Sequence, residues 1–140
     1  MSDETKPTAD EKAVQEASSL LILAGVLTAV GSLISLGLVS TESDAVQKAA
    51  TIVNSIYLGV GVVLIGAGIG VIKRSLAALA VGVGILTLGT GLDAIRILVM
   101  GHTGVATYGF AAIHLLFLLG SARHLPTLKR LQTEAESSGD

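Results

Sequence analysis

The sequence predicts an all-α integral membrane protein, a four-helix transmembrane bundle with glycine-zipper packing of the two central helices. Three observations lead to this fold class. Of the 140 residues, 51% are hydrophobic and only 14% are charged, which is too little polar surface for a soluble domain. Four long apolar segments divide the chain, and segments of this length cross a bilayer. The second and third segments carry the same pattern of four glycines.

The first span is predicted at about residues 17–40, because Leu20 to Val39 is a run of 20 residues without a charge. Residues 1–16 form an N-terminal tail, in which Thr8 and Glu11 have the spacing of a capping box. The second span is predicted at about 46–72, the third at about 76–100 and the fourth at about 104–122. Residues 123–140 form a C-terminal tail, for which we expect one short helical turn at the membrane interface.

The placement of lysine and arginine predicts the orientation of the four spans. An even number of spans puts both tails and the turn at residues 73–75 on one side of the membrane. That side holds seven of the nine basic residues: Lys6, Lys12, Lys73, Arg74, Arg123, Lys129 and Arg130. The opposite side holds only Lys48. The positive-inside rule therefore predicts cytoplasmic termini, in what we expect to be the cell (inner) membrane.

The repeated glycine pattern is G-x-G-x4-G-x-G. It occurs once in each central span, at Gly59, Gly61, Gly66 and Gly68, and again at Gly82, Gly84, Gly89 and Gly91. Positions seven apart lie on nearly the same face of a helix, so each pattern makes two grooves. Small residues in such grooves allow two membrane helices to pack closely. A weaker version, Ser18, Gly25 and Ser32, is present in the first span. We expect the second and third spans to form the centre of the bundle or of an oligomer.

Four polar residues within the spans are candidates for an intramembrane ion or proton site: Asn54, Asp93, Arg96 and His114. Asp93 and Arg96 are three residues apart on one helix, so they can neutralise each other and fix the register of that helix. Asn54 and His114 are expected to make hydrogen bonds between helices. His124, at the end of the fourth span, is predicted to be a surface residue.

The sequence does not indicate an enzyme. It has no cysteine, no arrangement of a nucleophile with a base, and no cluster of metal ligands, so no metal or cofactor is predicted. A net charge of −2 gives no reason to expect a nucleic-acid partner. The preferred hypothesis is a small polytopic membrane protein that acts by helix packing, as a homo-oligomer or an accessory subunit of a membrane complex. The alternative is a small channel or transporter with a polar path through Asp93, Arg96 and His114.

Overall fold

The computed structural model describes residues 7–38, 44–100 and 105–138, and every regular element in these ranges is an α-helix. The helices are α1 (Ala9–Leu38), α2 (Asp44–Ile72), α3 (Leu76–Met100), α4 (Val105–Ala122) and α5 (Leu125–Ser137). Three helices in the described ranges contain segments long and apolar enough to cross a membrane, at Ala9–Gly37, Thr51–Ile72 and Leu76–Ile95. The all-helical class and the presence of membrane-spanning helices are therefore confirmed.

Helix α1 begins eight residues before the predicted first span, because a capping box starts it there. The backbone N–H of Thr8 donates to Glu11 Oε2 at 2.8 Å, and the backbone N–H of Glu11 donates to Thr8 Oγ1 at 3.2 Å. Both hydrogen bonds satisfy N–H groups that have no partner within the helix. Asp10 and Glu11 in the first turn also interact favourably with the helix dipole. The capping box predicted from the sequence is confirmed.

The most extensive contact between helices joins α1 and α2. A Cβ atom added to Gly25 would lie 2.6 Å from the carbonyl oxygen of Gly61, and one added to Gly61 would lie 2.7 Å from the carbonyl oxygen of Gly25. Further along the same contact, a Cβ on Gly68 would lie 2.9 Å from the carbonyl oxygen of Ser18. Each distance is shorter than a Cβ atom can tolerate, so these glycines bring the two backbones together.

The remaining helix contacts enclose a narrow core of aliphatic side chains. Helix α3 packs against α2 and α4, and α4 also packs against α1. The largest aliphatic side chains that are fully buried are Leu21, Leu64, Val71, Leu79, Leu86 and Leu128. Many other apolar side chains point outward: Leu98 is 83% exposed, Leu88 70% and Leu116 68%. An outer surface of this kind suits contact with lipid rather than with water.

The turn between α2 and α3 is a Schellman motif with an arginine at its left-handed position. The N–H of Ser75 donates to the carbonyl oxygen of Gly70 at 3.3 Å, and that of Arg74 donates to Val71 at 2.8 Å. Arg74 has a φ of 59°, where glycine is usually found. The Ser75 hydroxyl then accepts the N–H of Ala78 at 3.2 Å and caps α3.

The C-terminal tail contains a helix of 13 residues, α5, rather than a single turn. Pro126 lies in its first turn, where the missing N–H is not needed. Leu128 is fully buried, and α5 contacts both α3 and α1. Two ion pairs join the start of α1 to the region around α5: Arg130 pairs with Asp10, and Arg123 Nη2 lies 2.9 Å from Glu16 Oε2. The start of α1 and helix α5 therefore lie at the same end of the molecule.

Candidate intramembrane site

The described structure brings two of the predicted polar residues together. Asp93 on α3 and His114 on α4 form a contact of 2.7 Å between the aspartate Oδ2 and the imidazole Nδ1. Only 8% of the Asp93 side chain and 14% of the His114 side chain are exposed. The pair joins two neighbouring helices and is shielded from the surroundings, as ionisable residues within a membrane usually are.

The depth of the pair follows from the rise of the two helices. Asp93 lies about 10 Å before the end of α3, and His114 lies about 13 Å after the start of α4, at a rise of 1.5 Å per residue. These two helix ends are successive in the chain, so both distances are measured from the same end of the molecule. About 26 Å separates Asp93 from the start of α3 at Leu76. The pair therefore lies in the third of α3 farthest from α5.

A glycine of the repeated pattern lies next to the imidazole. Gly89 is one helical turn before Asp93, and a Cβ added to it would lie 4.0 Å from His114 Nδ1. The neighbouring hydroxyl of Thr90 does not compete for the pair, because it donates to the carbonyl oxygen of Leu86 at 2.8 Å. The imidazole thus approaches α3 beside a position without a side chain.

The chemistry of the pair is that of a carboxylate hydrogen-bonded to an imidazole. When Nδ1 carries a proton it donates to Oδ2, which fixes the tautomer and orients the ring. The pair can hold one proton between two titratable groups, or two protons when the imidazolium and the carboxyl group are both protonated. Two protonatable groups at membrane depth are a common feature of proton relays, and they also lock helices together in purely structural roles.

Of the other two polar candidates, only Asn54 has a described side chain. Arg96 lies three residues beyond Asp93 on α3, but its side chain is outside the described part, so the expected Asp93–Arg96 pair stays a prediction. Asn54 lies on α2 and is half-buried. No hydrogen bond connects Asn54 to Asp93 or to His114. The partner of Asp93 that the structure does identify, His114, is 21 residues away in sequence.

The eight glycines of the repeated pattern have different surroundings. Gly61 and Gly68 contact α1, a Cβ on Gly82 would meet the Leu21 side chain at 2.7 Å, and Gly89 lies beside His114. Among the described residues, nothing lies within 4 Å of a Cβ added to the other four: Gly59, Gly66, Gly84 and Gly91. The close glycine contact thus joins α2 to α1, whereas the sequence pattern favoured α2 with α3. The spacing defines the grooves on a helix but not the neighbour that fills each groove.

A second polar cluster, at the end of α4, was not predicted. His124 is only 7% exposed, so the prediction of a surface residue is wrong. The physical reason is that α5 packs against α1 and α3 directly after it. Its Nε2 accepts the Nε–H of Arg123 at 3.1 Å and lies 3.5 Å from Glu16 Oε2. Burial and the Arg123 charge lower the pKa of His124, and the Glu16 carboxylate opposes them weakly.

Within the described residues, no group of three or more histidine or acidic side chains is placed to hold a metal ion. Comparisons of the chain with protein-family models, with curated proteins and with solved structures found no match. No relative therefore assigns a role to the Asp93–His114 pair.

Proposed function

We propose that this chain is a four-span integral membrane protein that acts by helix packing, as a homo-oligomer or as an accessory subunit of a membrane complex. In this proposal α1 to α4 each cross the cell (inner) membrane as one bundle, both termini are cytoplasmic, and the protein is not an enzyme. The ion pairs between the start of α1 and the α4–α5 region support it, because they join two chain segments that an even number of spans would bring to the same side.

The observation that carries the packing role is a set of four glycines with nothing within 4 Å of an added Cβ in the described part of the chain. Gly59 and Gly66 lie seven residues apart on α2, and Gly84 and Gly91 lie seven apart on α3. Glycine lowers the stability of a helix, and no contact among the described residues compensates for this cost. A second copy or a partner helix that packs into the grooves gives each glycine a role, because small residues allow close approach of membrane helices.

The test compares outward glycines with an outward leucine. Gly66→Leu and Gly84→Leu fill the open grooves, and we expect both variants to fold but to lose the oligomer or the copurifying subunit. Leu116→Phe, on an exposed face of α4, is the matched control and should keep the assembly. Native mass spectrometry of the purified protein measures the mass of the complex. A parent protein that is monomeric and copurifies with nothing, or glycine variants with an unchanged assembly, would contradict the proposal.

The second candidate function is a small channel or transporter, and the Asp93–His114 pair favours it. A proton-linked path needs protonatable groups at membrane depth, and this pair provides two in contact. Reconstitution into liposomes that enclose a pH-sensitive dye would test it. We expect Asp93→Asn to abolish a proton flux that the parent shows, whereas Thr87→Val should keep the flux, because Thr87 bonds only its own helix in the described structure. A parent protein without flux eliminates this candidate.

A further inference from the structure

A groove of about 460 Å³ runs along α1 beside the end of α2, away from the Asp93–His114 pair. Glu11 and Arg74, both exposed, lie at its outer end. The rest of its lining is mixed: Gln15, Ser18 and Ser19 are polar, and Val14, Ile22 and Ile72 are apolar. From Glu11 to Ile22 is about 16 Å along the helix axis. One groove therefore combines two opposite charges at one end with apolar side chains along its length.

The two charged side chains at the outer end of the groove do not pair with each other. Glu11 Oε2 accepts the N–H of Thr8 in the capping box. A carboxylate can accept several hydrogen bonds, so Glu11 can accept further hydrogen bonds beside the one from Thr8. Arg74 forms no ion pair with Glu11, although their charges are close enough for Arg74 to act on the carboxylate. A cation and an anion thus line one cavity with space between them.

The backbone of Arg74 suggests that its side chain has a role beyond the turn. Its φ of 59° is unfavourable for a residue with a Cβ atom by about 1–2 kcal/mol, and glycine would close the same Schellman motif without this strain. Strained backbone conformations cluster at binding and active sites, so Arg74 is a candidate for a functional side chain. Arg74 lines the wall of the groove, and this position suggests what its side chain does.

We propose that this groove binds a phospholipid of the surrounding bilayer whose headgroup carries a primary ammonium group. Arg74 binds the phosphate, since a guanidinium matches phosphate oxygens with paired N–H donors. Glu11 accepts hydrogen bonds from the ammonium group. The glycerol end and one acyl chain lie along Val14, Ile22 and Ile72. The inference requires a membrane location, but it holds for a monomer as well as for an oligomer and does not depend on the Asp93–His114 pair.

Native mass spectrometry of the full-length protein, delipidated in detergent, tests the site by titration with phosphatidylethanolamine and with phosphatidylcholine of the same acyl chains. We expect phosphatidylethanolamine to bind about tenfold more tightly, because choline cannot donate hydrogen bonds to Glu11. Glu11→Gln keeps the capping box and should remove this preference. Arg74→Gln should weaken the binding of both lipids. Lys73 is a neighbouring exposed cation that does not line the groove, so Lys73→Gln should leave the binding of both lipids unchanged.

The variant Arg74→Gly distinguishes a role of Arg74 in lipid binding from a role in folding. It removes the charge and relieves the backbone strain, so its melting temperature without lipid should equal or exceed that of the parent. Added phosphatidylethanolamine should raise the melting temperature of the parent but not of Arg74→Gly. Equal losses of binding in the Arg74 and Lys73 variants would overturn the proposal in favour of nonspecific charge attraction. Binding of glycerophosphoethanolamine as tight as that of the lipid would overturn it in favour of a soluble ligand.

Discussion

Asp93 and His114 show how two side chains that are far apart in sequence define a contact between helices. In lipid, a hydrogen bond between helices contributes modestly to the free energy of unfolding, because the polar groups also find partners in the unfolded state. A double-mutant cycle with Asp93→Ala, His114→Ala and the double variant should give a coupling energy of about 0.6–1.7 kcal/mol. Equilibrium unfolding in mixed micelles measures each free energy.

The control cycle mutates Leu92 instead of Asp93. Leu92 is adjacent to Asp93 in sequence and is 61% exposed. Leu92→Ala combined with His114→Ala should be close to additive, since the Leu92 side chain is exposed and cannot form a hydrogen bond with the imidazole. A coupling energy of zero in the Asp93–His114 cycle would show that the pair does not form in the membrane.

His124 predicts a dependence of stability on pH. Because its pKa is lowered in the folded state, the unfolded chain takes up a proton first when the pH falls below about 6.5. The contribution of the neutral histidine to stability is therefore complete above that pH and is lost as the pH decreases further. We expect the free energy of unfolding to fall more steeply in the parent than in His124→Gln between pH 7.5 and the acid range. Parallel curves for the two proteins would contradict the assignment.

At the scale of helices, the contact between α1 and α2 separates glycines that are needed for the fold from glycines that are not. An alanine at Gly61 would place Cβ 2.7 Å from a backbone oxygen, which cannot move aside as a side chain can. Gly61→Ala should therefore destabilise the protein by about 1–3 kcal/mol, the usual range for overpacking. Gly59→Ala, on the open face of the same helix, should be neutral or stabilising by up to about 1 kcal/mol.

Unfolding free energies of these two variants in a monomeric detergent preparation give the comparison. If Gly59→Ala is as destabilising as Gly61→Ala, helix propensity or membrane insertion dominates and the close α1–α2 contact does not explain the effect.

The sequence predicted helix type and helix starts well because these depend on local chemistry. The uncharged runs, the Thr8–Glu11 capping box and the turn after Ile72 are all determined by neighbours in the chain. It could not predict which helices are neighbours. The matching glycine patterns favoured α2 with α3, yet Gly61 packs against Gly25 of α1. Gly25 was visible only as part of a weaker small-residue stripe.

For the candidate site, too, the sequence identified single residues but not the contact between them. Asp93 and His114 were recognisable one by one, because each is an ionisable residue in an apolar segment. The i, i+3 spacing suggested Arg96 as the partner of Asp93, whereas the described contact depends on the rotation of α4 against α3. The spacing of residues within one helix does not determine how that helix is rotated relative to its neighbour. His124 was predicted at the surface because of its position at the end of the fourth span, whereas its burial depends on how α5 packs against α1 and α3.

At the scale of the whole molecule, three separate features lie at one end. The capped start of α1, the Schellman turn at Arg74 and helix α5 are connected by the Arg130–Asp10 ion pair and by the groove between α1 and α2. The ion pairs are exposed, so each adds little to stability. They join the start of α1 to the end of α4 and to α5, so these elements lie at the same end of the molecule.

In the proposed four-span topology, the side with both tails holds seven of the nine lysines and arginines, and the positive-inside rule predicts that this side is cytoplasmic. The chain has no cysteine, so single cysteines can be introduced without background. We place them at Thr5, Glu42, His102 and Ala135 and treat intact cells with a membrane-impermeant maleimide. Glu42→Cys and His102→Cys should react, and the other two variants should react only after lysis. Reaction of Thr5→Cys and Ala135→Cys in intact cells would reverse the orientation. Reaction of only one of these two tail variants would exclude an even number of spans.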